Sequence, residues 1–407
     1  MHQRDITLLF AARSVRMFGY GLLAVVLVLY LDSIGLSGGE IGLLLALTLL
    51  GDAAISLWLT THADRIGRRR VLIAGAILLL LAGIVFASTP VFVVLLVAAT
   101  IGVISPSGNE IGPFLAIEQA SLTQLVHPTS RTSLFARYQL VGSIATALGS
   151  LAAGFIGQLA VGRVGAPEDA YRAVIMVYAA IGIVLAVLFA GVSPAVEVPK
   201  TDAIDPTIRS RLGLHRSQGV VLRLSMLFAL DAFAGGFVMQ SFIAFWFNQK
   251  FGVDPALLGG IMFAANILAA ASALAAGPLA ARFGLVRTMV YTHLPSNVLL
   301  ILVPLMPTLP LAILVLLARF SISQMDVPTR QSYTMAIVEP DERSAAAGVT
   351  GIARSLGVAA SPLIAAPLFV GSAFIGAPFV ISGTLKIVYD ILLYRRFQAL
   401  RPPEEQP

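Results

Sequence analysis

The sequence predicts an all-α integral membrane protein with twelve transmembrane helices in two pseudo-symmetric six-helix halves and both termini in the cytoplasm. Three observations predict this fold class. The 407-residue chain is 57% hydrophobic and 12% charged, with a mean hydropathy of +0.89, far from the composition of soluble domains. Its apolar stretches are long enough to cross a bilayer, which takes about 20 residues each. A loop sequence of the first half also recurs in the second.

The predicted spans divide equally between the two halves. Residues 1–193 form the first half and residues 221–394 the second, joined by a predicted cytoplasmic linker at 194–220. Residues 395–407 are predicted to be a disordered cytoplasmic tail. The twelve spans cover residues 6–32, 39–60, 71–88, 91–114, 134–158, 172–193, 221–247, 256–281, 288–306, 310–330, 344–370 and 375–394.

Basic residues lie almost entirely on one side of these spans. With both termini inside, nineteen fall in cytoplasmic segments, whereas the opposite side has only Arg163, Arg172 and Lys250. An excess of Lys and Arg marks the cytoplasmic side. This orientation explains the net charge of +6 and leaves no solvated basic face for a nucleic acid. The expected location is the plasma membrane, which is the inner membrane in a Gram-negative source.

Two loop segments carry the internal repeat. Residues 60–72 read T-T-H-A-D-R-I-G-R-R-R-V-L, and residues 277–289 read G-P-L-A-A-R-F-G-L-V-R-T-M. Ala281 of the second segment lies 217 positions after Asp64 of the first. Recurrence at near-constant spacing indicates an internal repeat, and such repeats build the two halves of many transporters around a central site.

The first segment resembles the loop between helices 2 and 3 of the major facilitator superfamily, whose pattern is Gly-x-Leu-Ala-Asp-Arg-x-Gly-Arg-Arg/Lys-x-x-Leu. The resemblance implies a transporter of this superfamily, close to its bacterial drug exporters, that works by alternating access. It also implies a cytoplasmic gate. The expected gate residues are Asp64, Arg65, Gly67, Arg68, Arg69, Gly277, Arg282 and Gly284.

Ionisable residues inside the spans are candidates for function, because a charge at mid-membrane is costly unless it is paired or hydrated. The resemblance implies that spans 1, 4, 7 and 10 line a central cavity. Most of the ionisable residues fall on these spans. The predicted substrate cavity contains Arg13, Arg16, Asn109, Glu110, Asp231, Gln240, Arg319, Gln324, Asp326 and Arg354.

Proton coupling is predicted to involve Asp231, Asp52, Glu110 and Arg16. A carboxylate that moves between a dry environment and a neighbouring guanidinium changes its pKa, and can thereby load and release a proton. Asp231 is either such a group or a permanent partner of an arginine. Asp52 either takes part in coupling or locks the second span to a neighbour.

Other polar residues in the spans have a structural interpretation. Asp326 with Arg330, and Lys386 with Asp390, are spaced four residues apart and can pair on one helical face. His293 has no metal-ligand spacing around it and is also interpreted as structural.

The leading functional interpretation is a proton-coupled antiporter that exports a small organic molecule, a drug or a metabolite. The sequence has no Gly-x-x-x-x-Gly-Lys-Ser/Thr loop, so no nucleotide is expected as a partner. No cofactor or metal is expected, and the protein is expected to be a monomer that is not an enzyme. Residues 149–154 keep the small side chains of the antiporter signature but lack its Gly-Pro pair.

Two alternatives remain open at this stage. A proton-coupled importer of an anionic nutrient would use the arginines inside the spans as ligands, since the guanidinium fork suits carboxylate and phosphate. A membrane enzyme would need a nucleophile with a base, or a metal cluster, and the sequence shows no such pattern. The arginines in question are Arg13, Arg16, Arg319 and Arg354.

Overall fold

The computed structural model confirms an all-helical, multi-pass membrane protein. Among the residues that the structure describes, ten helical stretches are long and apolar enough to cross a membrane, and two shorter apolar helices occur at Phe92–Ile101 and Leu309–Phe320. Within the described part of the chain, all regular secondary structure is helical. The structure describes residues 2–109, 114–127, 131–164, 167–197, 216–339, 342–370, 374–398 and 400.

Sixteen α-helices are described in chain order, with short 3-10 turns at Pro194–Val196 and Val303–Leu305. The helices are α1 (His2–Ser33), α2 (Gly38–Ile66), α3 (Arg68–Ser88), α4 (Phe92–Ile101), α5 (Phe114–Leu125), α6 (Arg131–Val164), α7 (Pro167–Ala190), α8 (Gln218–Gly236), α9 (Gln240–Phe251), α10 (Pro255–Phe283), α11 (Leu285–Leu302), α12 (Leu309–Phe320), α13 (Asp326–Ala336), α14 (Arg343–Ala360), α15 (Pro362–Phe369) and α16 (Ala377–Phe397).

The chain divides into two compact units. The first contains Met1–Ala203 and Met239–Phe263, and the second contains Ile204–Val238 and Ala264–Pro407. In the first unit α1 packs on α6 and α7, and α3 packs on α7. In the second, α8 packs on α14 and α16, and α11 packs on α16. Corresponding helices therefore make corresponding contacts, which is the structural form of the sequence repeat.

The predicted domain boundaries stay a prediction. Most of the predicted linker, residues 198–215, lies outside the described residues, as does most of the predicted tail. Of the described part of the linker, Pro194–Val196 form a 3-10 turn, Glu197 accepts hydrogen bonds from the start of α3, and residues 218–220 begin α8.

Close helix packing in each unit depends on glycine. A Cβ atom on Gly149 of α6 would overlap the carbonyl oxygen of Phe18 on α1, and one on Gly21 would overlap the carbonyl of Thr146. In the second unit, a Cβ on Gly357 of α14 would overlap the carbonyl of Ala229 on α8. The two backbones touch in both pairs, an arrangement that small residues permit between membrane helices.

Four predicted spans are not single helices: 221–247 is divided between α8 and α9, 344–370 is divided between α14 and α15, and the other two have longer breaks. The span 91–114 is interrupted, because α4 ends at Ile101 and the chain is non-helical over residues 102–109. Pro106 in this break has no N–H to donate, and Gly108 adopts a φ of +70° that favours glycine.

The span 310–330 is interrupted in the same way. Helix α12 ends at Phe320 and α13 begins at Asp326. Pro328 lies in the first turn of α13. In a continuous helix its ring would clash with the carbonyl four residues earlier, which favours a helix start just before it, although α10 and α11 continue through Pro278 and Pro295. Both longer breaks lie on segments that carry candidate site residues.

Candidate functional site

Asp231 is the centre of a charged cluster in the second unit. Its spacing from Leu224 and Phe228 places it on the buried face of α8. Lys386 of α16 lies 2.6 Å from Oδ1, and Arg330 of α13 donates to Oδ2 at 3.0 Å. Further donors to this carboxylate come from α14.

Arg354 of α14 supplies the third cation. Its guanidinium donates to Oδ2 of Asp231 at 3.2 Å. The Asp231 residue is 4% exposed, whereas the side chain of Arg354 is 36% exposed. One carboxylate is therefore shared by three cations, and Arg354 is the most accessible of them.

A second carboxylate joins this cluster through α11. Nδ1 of His293 lies 2.8 Å from Oδ1 of Asp390, and Asn297 donates to Oδ2 of Asp390 at 2.9 Å. Nε2 of His293 lies 4.0 Å from Oδ1 of Asp231. The imidazole is therefore within hydrogen-bond distance of Asp390 and lies near Asp231, beyond hydrogen-bond distance of it.

The two residue pairs expected on single helices have different outcomes. Asp326 and Arg330 do pair, at 3.0 Å. Lys386 and Asp390 each bond to a residue of another helix instead. With a neutral His293, the three carboxylates and three permanent cations of the cluster cancel.

Arg319 is a buried cation of the second unit with a different environment. It lies in the last turn of α12 and is 8% exposed. Its Nε is buried without a hydrogen-bond partner, and its guanidinium lies 4.9 Å from the ring of Phe320. Four residues later, in the break before α13, the hydroxyl of Ser323 is also buried without a partner.

The first unit has its own buried ion pair. Arg16 of α1 donates two hydrogen bonds to Glu118 of α5, at 2.7 and 2.8 Å. Both side chains are 0% exposed. The hydroxyl of Tyr138 also donates to Glu118, and the Arg16 guanidinium lies 4.6 Å from the ring of Phe114. The partner of Arg16 is therefore Glu118, and Asp231 has its own cations in the second unit.

Sequence reasoning missed Glu118, because it ended the fourth span at residue 114. A periodic signal was present: the buried positions of α5 recur every three or four residues, as on one face of a helix. Arg13, three residues before Arg16 on α1, donates to Gln139 at 2.9 Å, and its guanidinium lies 4.2 Å from the Tyr138 ring. The buried positions are Phe114, Ile117, Glu118, Ser121, Leu122 and Leu125.

The remaining predicted residues of the first unit lie apart from these pairs. Asp52 is half-buried and accepts a hydrogen bond from Ser56 of its own helix at 3.4 Å. Asn109 is exposed, and its backbone carbonyl accepts from Ser105 at 2.8 Å. Glu110 lies outside the described residues.

Two predicted amide residues contact neighbouring helices. Gln240 of α9 donates to Ser150 of α6 at 2.9 Å. Gln324 is half-buried, and its backbone N–H donates to Ser272 of α10 at 3.2 Å. Among the described residues, no group of three His, Asp or Glu side chains is arranged to hold a metal ion.

The first gate segment forms a tight junction between α2 and α3. Gly67 adopts a φ of +106°. The backbone N–H groups of Arg68 and Arg69 donate to the carboxylate of Glu197 at 2.7 and 3.1 Å. A carboxylate at a helix N-terminus is favourable, because it satisfies free N–H groups and complements the helix dipole. The side chain of Asp64 is outside the described part of the structure.

Two arginines of this segment, Arg68 and Arg69, form side-chain hydrogen bonds with residues near the ends of α5 and α7 and in the turn at Pro194–Val196. Arg68 donates to Gln124 at 3.0 Å and to the carbonyl of Val196 at 3.2 Å. Arg69 donates to the carbonyl of Ala190 at 2.5 Å. Arg65 is exposed.

The second gate segment has a different set of contacts. Gly284 adopts a φ of +86° between α10 and α11, and Gly277 lies inside α10. Arg282 is exposed, with its guanidinium 5.3 Å from the ring of Phe283. The two loops therefore share a backbone turn and differ in how their arginines are held.

Comparison with known proteins identifies relatives over nearly the whole chain. Residues 9–362 and 224–407 match the family described as Major Facilitator Superfamily. The chain is 32% identical over 418 residues to the uncharacterized membrane protein YJR124C of Saccharomyces cerevisiae, with 96% of this chain and 93% of that protein covered.

Solved structures share the fold at low sequence identity. A bacterial homologue of the human lysosomal transporter Spinster, in an inward-facing and unoccupied conformation, superposes with a TM-score of 0.72, 16% identity and 98% coverage of both chains. The nucleoside transporter NupG gives a TM-score of 0.75 at 13% identity, with 97% of this chain and 99% of that chain covered.

Proposed function

Because the chain belongs to the major facilitator superfamily and is a multi-pass membrane transporter, we propose that it is a proton-coupled secondary transporter of a small organic molecule. It works by alternating access and draws on a proton gradient. The observation that carries this proposal is the carboxylate of Asp231, shared by three cations within 3.2 Å in the interior of the second unit.

Protonation of Asp231 would change the balance of the cluster. The carboxylate would lose its charge, and Lys386, Arg330 and Arg354 would be left with one positive charge in excess. An uncompensated buried charge is costly, so the two protonation states favour different arrangements of the helices that carry these cations. A difference in preferred arrangement between two ligand states is what coupling requires.

His293 extends this proposal to a proton path. Its ring lies between Asp231 and Asp390, at 4.0 and 2.8 Å. A movement of less than about 1.5 Å that brings Nε2 into hydrogen-bond distance of Asp231 would let a proton pass between the two carboxylates through the ring. Asp52 and Glu110 remain the other proposed proton carriers.

Export across the plasma membrane is the proposed direction. It is supported by the small-residue segment of α6, which corresponds to the segment where antiporting members have their signature. A Cβ on Gly259 of α10 would lie 2.7 Å from the Ser150 carbonyl and 2.9 Å from Cα of Gly154. Helices that approach this closely leave no room for a water path along their contact.

A second candidate is proton-coupled import of an anionic nutrient. The specific observation in its favour is the buried guanidinium of Arg319, which has an unpaired Nε. Such a group is suited to bind an anion in either direction of transport. Direction and coupling therefore have to be measured separately from binding.

The test is transport by the full chain in proteoliposomes that contain a pH-sensitive dye. Small organic cations, neutral compounds and carboxylates are supplied outside under an imposed pH gradient of either sign. We expect at least one compound to move protons in the opposite direction and to accumulate only while the gradient lasts. Transport that is unchanged when a protonophore removes the gradient would overturn proton coupling.

A further inference from the structure

We infer that Arg319 binds an oxyanion of the transported molecule, a carboxylate or phosphate group, with the hydroxyl of Ser323 as a second donor. This inference rests on the proposed transport function and names its substrate class. Arg319 is 8% exposed, and Ser323 is 5% exposed. Both carry a buried polar atom without a partner.

The buried guanidinium of Arg319 lacks the hydrogen-bond acceptor that would offset its burial. A cation in the interior of a membrane protein is unfavourable unless a counter-charge and hydrogen-bond acceptors offset its lost hydration. Arg330, by contrast, has two carboxylates at 3.0 Å. Among the described residues, Arg319 has no hydrogen-bonded acceptor: the ring of Phe320 lies 4.9 Å from its guanidinium, and Asp326 interacts with it electrostatically without a hydrogen bond. A ligand with an oxyanion would supply the hydrogen-bond acceptor that Arg319 lacks.

The charges inside the second unit do not cancel. Three carboxylates of its helices face four permanent cations, so one positive charge is left over when His293 is neutral. Glu342 is not counted with them, because it lies at the helix ends: it directly precedes α14 and accepts the backbone N–H groups of Arg216 and Ser217, just before α8, at 2.8 and 2.9 Å. One singly charged anion would cancel the excess. The groups counted are Asp231, Asp326 and Asp390 against Arg319, Arg330, Arg354 and Lys386.

The polar groups around Arg319 suit an anion. Arg319 precedes the break between α12 and α13, and Ser323 lies inside it. Asp326, the first residue of α13, is bonded to Arg330 at 3.0 Å and so has a partner of its own. A guanidinium and a hydroxyl together offer several donors and no second charge. This combination fits a planar carboxylate or a phosphate monoanion better than a neutral or cationic solute.

The experiment measures thermal unfolding of the purified full chain in neutral detergent, with and without benzoate, succinate or inorganic phosphate. Benzamide serves as the uncharged match of benzoate. The variants are Arg319→Met, Arg319→Lys and, as a control for removing a basic residue, the exposed Arg287→Met. Nanodiscs with and without an anionic lipid show whether a lipid headgroup supplies the oxyanion instead.

We expect at least one anion to raise the unfolding temperature of the wild type and of Arg287→Met, whereas benzamide does not. Arg319→Met should bind that anion at least about tenfold more weakly, because it loses a charged hydrogen bond, and Arg319→Lys should retain part of the affinity. Without anion, Arg319→Met should unfold at a higher temperature than the wild type, because it removes a buried charge that has no hydrogen-bonded acceptor.

Three results would overturn the inference. They are a lower unfolding temperature for Arg319→Met without anion, equal stabilisation of Arg319→Met and wild type by the anion, and no stabilisation of the wild type by any probe. Stabilisation by anionic lipid alone would assign the site to the bilayer rather than to substrate. The binding measurement needs no proton gradient, so it is independent of the transport assay. If the protein binds the anion but shows no proton coupling, the proposed function is refuted and the anion site is not.

Discussion

The buried charges of the two units are arranged in opposite ways. In the first unit, Arg16 and Glu118 form a closed pair, with two hydrogen bonds and no exposure on either side. In the second unit, three cations share Asp231, and one of them, Arg354, is 36% exposed. A closed pair has one favourable arrangement. A shared carboxylate has several, because each cation can leave while the others stay.

Within one repeated fold, the charges of the first unit therefore stabilise the structure, whereas those of the second unit can exchange partners. The helices of the two units pack in corresponding pairs, so the repeat itself does not dictate where the charges go. The closed pair joins α1 to α5, whereas the shared cluster joins five helices of the second unit. We therefore expect the first unit to respond to charge removal by losing stability, and the second by losing coupling.

The largest expected effect is that of Glu118→Gln. The amide cannot neutralise Arg16, and leaving one member of a buried pair unpaired costs about 3–5 kcal/mol. The measurement is the unfolding temperature and the monodisperse fraction after purification. The double variant Arg16→Met with Glu118→Leu should recover most of the loss, since neither charge remains. A single variant that is as stable as the wild type would show that the pair is not structural.

The next effect is that of Asp231→Asn on coupling. The amide resembles the protonated acid in shape, so substrate binding should persist while accumulation driven by a pH gradient is abolished. The double variant Asp231→Asn with Lys386→Met removes one cation as well and should restore stability without restoring coupling. The assay is gradient-driven uptake beside equilibrium binding. If Asp231→Asn still concentrates substrate, the proton is carried by another residue.

A smaller effect is expected for Arg354→Gln. Its side chain is partly exposed, so its loss should change stability by less than about 1 kcal/mol. Arg330 and Lys386 would remain on Asp231, and we expect a shifted pH dependence of transport with coupling retained. The pH profile of uptake is compared with that of the exposed control Arg287→Gln. A profile identical to the wild type would mean that Arg354 takes no part in the shared cluster's function.

The smallest effect is the difference between the two loops. Arg68→Ala removes hydrogen bonds to Gln124 and to the carbonyl of Val196. Arg282→Ala removes an exposed side chain over Phe283. Transport should therefore slow more in Arg68→Ala, at equal surface expression of both variants. An equal or greater loss in Arg282→Ala would contradict this asymmetry.

The repeat and the helical class were accessible from the sequence because both depend on local signals. The basic loop at 60–72 recurs at 277–289, and apolar length marks the spans. The breaks near Pro106 and Pro328 were harder to locate, because a hydropathy window averages across a few non-helical residues. Pro106 was visible, but the new helix that follows it was not assigned.

Partner choice was the part that sequence could not supply. Lys386 and Asp390 have ideal spacing for a pair on one helix, yet each bonds to another helix. The i,i+4 contact is worth only about 0.2–0.5 kcal/mol in isolation, so a well-placed buried partner overrides it. The choice between Asp390 and Asp231 for Lys386 depends on how α8 and α16 pack, which single-helix spacing does not encode.

The glycine contacts between α1 and α6 have a mechanical consequence. Gly21 contacts the Thr146 carbonyl, and Gly149 contacts the Phe18 carbonyl. The backbones of the two helices are therefore in contact at two separate positions. Two such points of contact oppose both sliding and twisting of one helix against the other. We expect α1 and α6 to move as one rigid body. Arg13 and Arg16 on α1 would then keep their positions relative to Ser150 on α6 in any motion of the first unit.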